Sequence, residues 1–139
     1  MLGIDPDRSI VRILKADGED RFPSGGGVLI SDRHVLTCAH VVEAALGVPE
    51  DETLYDAPET LVPLDFPLIK NKPMVWARVD RWYPKDDVGG VGDTYDLALL
   101  VIDEGSETPK GAVPALIWGA NTERVCEMVA RMCGFPDND

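Results

Sequence analysis

Cysteine is scarce in this chain: Cys38, Cys126 and Cys133 are odd in number and nowhere spaced as Cys-x-x-Cys. That excludes a disulfide framework and a zinc knuckle as the basis of the fold, and it fits a reducing compartment. Long hydrophobic runs are absent too. The most apolar stretch, Leu97 to Ile102, is far shorter than the ~20 residues needed to cross a bilayer. The opening residues, Met1 to Arg8, have neither the basic nor the apolar region of a secretory signal. A soluble, cytoplasmic protein with no membrane partner is expected. Basic residues are also few, 13 Lys and Arg against 25 Asp and Glu, for a net charge of −12. Phosphate backbones repel such a chain, which removes nucleic acid from the expected partners. The two histidines, His34 and His40, make no credible zinc pair, so no metal and no cofactor are expected.

What is present suits one compact core: 139 residues, 45% of them hydrophobic. From Ser9 to Ala16 apolar residues alternate imperfectly and meet the turn pair Asp17-Gly18, which predicts a strand entering a hairpin. Gly25-Gly26-Gly27 leads into the apolar Val28-Leu29-Ile30. A turn at Ser31-Asp32-Arg33 and a short strand from His34 to Thr37 complete a three-strand meander. The triple glycine runs into a strand and lacks a following Lys-Ser or Lys-Thr, so it predicts close backbone packing, not a phosphate loop.

Ala39 to Leu46, stopped by Gly47 and Pro49, predicts a short helix with His40 at its start. Glu50 to Thr60 is acidic and reads as a solvated loop. Extended stretches follow at Leu61 to Ile69 and Met74 to Tyr83, then a glycine-rich loop from Val88 to Asp93 and a buried strand from Leu97 to Ile102. Thr122 to Cys133 fits a helix or a strand. Trp76, Trp82 and Trp118 are expected in core and seam, and Cys38 as a small core residue. Many short strands with frequent turns predict an all-β barrel or sandwich.

Two segments carry chemistry, Gly25 to Val42 and Gly92 to Ile102. Acyl transfer by a serine needs an imidazole to take its proton and a carboxylate to orient that imidazole. His40 and Asp96 stand at the ends of apolar strands, where a rigid scaffold fixes side chains at its rim. The segment Val35-Leu36-Thr37-Cys38-Ala39-His40-Val41-Val42 resembles the histidine motif of the trypsin-like, or chymotrypsin-fold, serine proteases, with Cys38 replacing a small alanine. Asp96-Leu97-Ala98-Leu99-Leu100 resembles the aspartate and apolar strand of that family, and lies 56 residues beyond His40. Gly134-Phe135-Pro136 resembles the strand that opens the second barrel in bacterial members.

The resemblance, which runs from about Ser9 to Pro136, implies a six-stranded antiparallel β-barrel, the first of two, with a short helix after the histidine motif. It divides the chain into a barrel at 1–104, a linker at 105–124 and an incomplete second barrel at 125–139. It implies a serine endopeptidase in which His40 is the general base and Asp96 its orienter.

No Gly-Asp-Ser-Gly-Gly type motif occurs, and Ser9, Ser24, Ser31 and Ser106 lack its context. The serine is therefore expected in a missing or separate carboxy-terminal part, and this chain alone is expected to be inactive. Val41 stands where animal digestive relatives carry a disulfide cysteine, which points to a bacterial intracellular type. The partners implied are the half that carries the serine, a protein substrate, and the sensor or effector modules of defence and signalling systems to which such bacterial proteins are fused. The competing reading is a non-catalytic protein-interaction domain built on the same barrel.

Overall fold

Alternation of apolar and polar side chains dictates which face of a half-buried strand turns inward; the strand from Leu97 to Ile102 alternates throughout, whereas Val62 to Asp65 is buried at every position. The computed structural model describes residues 8–84 and 96–115. Its elements are β1 (Ile10–Asp17), β2 (Asp20–Leu29), β3 (His34–Thr37), α1 (Ala39–Ala45), β4 (Val62–Asp65), β5 (Met74–Tyr83) and β6 (Leu97–Ile102). All neighbours pair antiparallel, and the sheet closes on itself in the order β1-β2-β3-β6-β5-β4. The expected meander is the β1-β2-β3 part of this barrel.

β2 begins well before the glycines, at Asp20. Ser24 stands between the pairs Ile13↔Gly25 and Leu14↔Pro23 and has no opposite residue, a bulge that admits Pro23 to the strand. The Ser24 hydroxyl then lies 3.2 Å from the carbonyls of Ile13 and Val41, tying the bulge to the helix. Gly27 shows why glycine is needed here. A Cβ on it would stand 2.9 Å from the Leu36 carbonyl oxygen and 3.1 Å from Val11.

β4 is shorter than the extended stretch expected from Leu61 to Ile69. After Asp65 the chain turns, with Asn71 and Lys72 both at positive φ, and returns as β5. The barrel closes where β4 meets β1, through Arg12↔Asp65 and Ile13↔Leu64. There the Arg12 guanidinium donates Nε to Asp65 Oδ1 at 2.9 Å and Nη2 to Oδ2 at 2.6 Å. The hydrogen bond to Asp65, more than its Coulomb field, raises the Arg12 guanidinium above its ordinary value, against the opposing effect of burial.

Ile13, Leu29, Leu64, Phe66, Leu100 and Ile102 are buried at the centre, each contributing about 1.5–3 kcal/mol relative to exposure. Cys38 joins this cluster, as expected. Trp82 packs partly buried against it and donates its indole N–H to the Leu54 carbonyl. Trp76 departs from the core expectation: it alternates outward between buried Val75 and Ala77, with the Arg21 guanidinium over its ring. Gly105 to Ala115 runs back along the barrel, where Val113 donates to Arg8 and Ala115 to Leu29. The glycine-rich loop at 88–93, residues 122–133, Trp118, Cys126, Cys133 and the expected second-barrel segment at 125–139 lie outside the described residues. Among the described residues no helix is long and apolar enough to cross a membrane.

Candidate active site

β3 delivers the histidine segment to the rim of the barrel. The buried Thr37 hydroxyl donates to the Gly26 carbonyl at 2.7 Å, fixing the strand end against β2. Cys38 then has extended φ/ψ as the N-cap of α1, and its carbonyl accepts from Val41. The helix buries Ala39, Val41, Val42 and Ala45. That face leaves His40 on the outside, with its side chain 52% exposed. Gly47 at φ +82 ends the helix, where a side chain would be strained. The Glu43 carboxylate accepts the Leu54 N–H at 2.8 Å, which pins the acidic loop beneath.

Asp96 comes from the other side, at the entrance to β6. It adopts φ +48, a left-handed conformation that Asp tolerates better than most residues. β6 pairs with β3 from Thr37↔Ala98 to His34↔Val101, and this register brings Asp96 beside the residue three past Thr37. Its Oδ1 accepts the backbone N–H of His40 at 2.8 Å, and its Oδ2 stands 2.6 Å from His40 Nδ1. A carboxylate has no proton to give, so Nδ1 is the donor and Nε2 of the neutral ring keeps its lone pair. One acid thus fixes both the main chain and the ring of one base.

The two residues singled out from the sequence are therefore in contact. The four serines of the chain are engaged elsewhere. Ser9 donates to the Val113 carbonyl and Ser24 lies at the bulge. Ser31 accepts from the backbone of Arg33 and His34 and meets His34 Nδ1 at 2.8 Å, while Ser106 accepts from Trp76 N–H. His34 belongs to this turn at the start of β3 and not to the His40 pair.

Sequence reasoning missed one member of the neighbourhood. A Cys38 sulfur, a His40 nitrogen and an Asp96 oxygen lie within 4.8 Å of one another. Cys38 is buried, as its reading as a small core residue beside His40 expects; its place two residues before His40, at the helix start, is the signal that its thiol also adjoins the site.

No family model matches the chain, and no curated protein matches it. Among solved structures, GrC is similar over 85% of this chain and 48% of its own, with 18% identity and a TM-score of 0.44. The Drosophila Grass clip serine protease of the Toll pathway is similar over 86% of this chain and 35% of its own, with 15% identity and a TM-score of 0.44. This chain spans less than half the length of each.

Proposed function

We propose that this chain supplies the general base and its orienting carboxylate to a serine endopeptidase whose nucleophile lies in a carboxy-terminal part or partner chain. The observation that carries this reading is the double acceptance by Asp96 of the His40 backbone N–H and ring Nδ1–H. His40 Nε2 takes the proton of the incoming serine hydroxyl as that oxygen attacks the peptide carbonyl. The imidazolium formed is stabilised by the charge of Asp96, and Nε2 then returns the proton to the leaving amine. The remaining requirements, the serine and the donors for the oxyanion, belong to the complementary part. The odd cysteine count supports a cytoplasmic setting, and Val41 after the histidine supports a bacterial type.

The test is to co-purify the chain with its carboxy-terminal part and treat the sample with a fluorophosphonate probe, reading intact masses. A second component that gains the probe mass, and no longer does so when His40→Ala is introduced, supports the protease. A complete complex that never labels rejects it in favour of a binding module.

A further inference from the structure

Three chemically different donors converge at the rim of the barrel: a thiol, an imidazole and a carboxylate. Their ligand atoms all lie within 4.8 Å of one another. A tetrahedral zinc ion with bonds of roughly 2.0–2.3 Å needs donors about 3.3–3.8 Å apart, so the set is close to closing on an ion. The Nδ1–Oδ2 contact at 2.6 Å opens by about 0.7 Å to admit one, and the outermost donors move inward by about 1 Å. Access is graded, since Cys38 is buried, Asp96 is 25% exposed and His40 is 52% exposed. An ion arriving from solvent meets the imidazole first.

We propose that Cys38, His40 and Asp96 form a site for a zinc-class divalent ion, and that its occupancy switches the His40–Asp96 pair off. Sulfur and imidazole nitrogen select zinc, cobalt or cadmium over magnesium and calcium, which take oxygen donors. Charge balances as well. The ion displaces the Cys38 thiol proton to solvent, and the thiolate and the Asp96 carboxylate together cancel its two positive charges, while the imidazole coordinates as a neutral ligand. The positive end of α1 opposes a cation, and these two full negative charges outweigh it.

Three protein ligands leave a fourth position for water. The consequence for proton transfer is the same whichever ring nitrogen binds. Coordination of Nδ1 removes its hydrogen bond to Asp96, and coordination of Nε2 removes the lone pair that serves as base. The regulatory consequence rests on the protease reading; the site itself does not.

The experiment titrates the full chain with cobalt(II) and reads the near-ultraviolet thiolate-to-cobalt charge-transfer band, with zinc(II) as competitor and magnesium(II) as control. One cobalt per chain is expected, displaced by zinc and not by magnesium. The band should vanish in Cys38→Ala and persist in the Cys126→Ser/Cys133→Ser double variant. In His40→Ala, which leaves the core intact, affinity should fall by more than the ~10–100-fold typical of losing a supporting residue.

A band that survives Cys38→Ala, or that depends on Cys126 and Cys133, overturns the site; so does the absence of cobalt binding. None of these readouts uses peptidase activity. A chain that binds cobalt as described but yields no labelled serine keeps the site and loses the protease. A labelled complex that binds no cobalt does the reverse. Where both hold, zinc should suppress labelling of the complex and a chelator restore it.

Discussion

Two carboxylate–base pairs among the described residues look alike and serve opposite ends. At the seam, Asp65 takes two hydrogen bonds from the guanidinium of Arg12; at the rim, Asp96 takes two from His40, one from the ring and one from the main chain. The shortest contact is 2.6 Å in both. Asp65 is almost wholly buried, its side chain 9% exposed, and its partner is a group that does not give up its proton in the working range. While Asp65 is ionised, the raised Arg12 guanidinium keeps its contribution at pH values below its unfolded value. That contribution is lost only as pH climbs through the still higher folded value. The seam pair is thus a structural fastening. The rim pair couples an acid to an imidazole, a group that can both take and give a proton, and the imidazole side chain is 52% exposed. Similar bond lengths, then, do not define a role; the partner's proton chemistry and exposure do.

The largest effect that would sharpen this contrast is expected at His40. In the proposed two-part protease, His40→Ala should abolish turnover of a fluorogenic peptide while the urea midpoint stays close to wild type, because the exposed ring contributes little to the core. Retained turnover would end the distinction. Asp96→Asn comes next. It can keep a bond to the His40 main chain but presents an amide to Nδ1, so kcat should fall by about 10⁴, as in the Ser-His-Asp template.

A smaller effect, on stability alone, is expected at the seam. Arg12→Ala should cost about 1–3 kcal/mol by urea unfolding, since it strands a buried carboxylate while the arginine itself is partly exposed. If turnover fell more than stability explains, the seam would not be a mere fastening. Replacing both partners, as Arg12→Met with Asp65→Leu, should change stability by less than about 1.5 kcal/mol, because a buried ion pair roughly breaks even against an apolar one.

The same contrast governs what could be read from the sequence. Met74–Tyr83 was legible to the residue from its β-branched and aromatic side chains and bounding prolines, and Leu97–Ile102 from the length and flanks of its apolar run. The start of β2 was not, because Pro23-Ser24-Gly25 has the composition of a turn. Only pairing with β1 and a bulge at Ser24 make it a strand. The residues after Asp65 read as extended, and the turn through Asn71 and Lys72 replaced them. His40 and Asp96 were found because each sits in a recognisable local segment. The Arg12–Asp65 clasp was invisible, its partners being 53 positions apart with no motif around either. Cys38 was half legible: its burial was expected, its thiol's proximity to the rim pair was not.

Because Asp96 grips the main chain of residue 40 as well as its ring, the imidazole is a cartridge in a holder that survives its removal. In His40→Ala the first turn of α1 stays strapped to the carboxylate, and a vacant, solvent-facing slot is left with the acid still at its base. Free imidazole supplied in the buffer would find the same acceptor that Nδ1 uses now, and a base brought by diffusion could stand in for the one encoded by the chain.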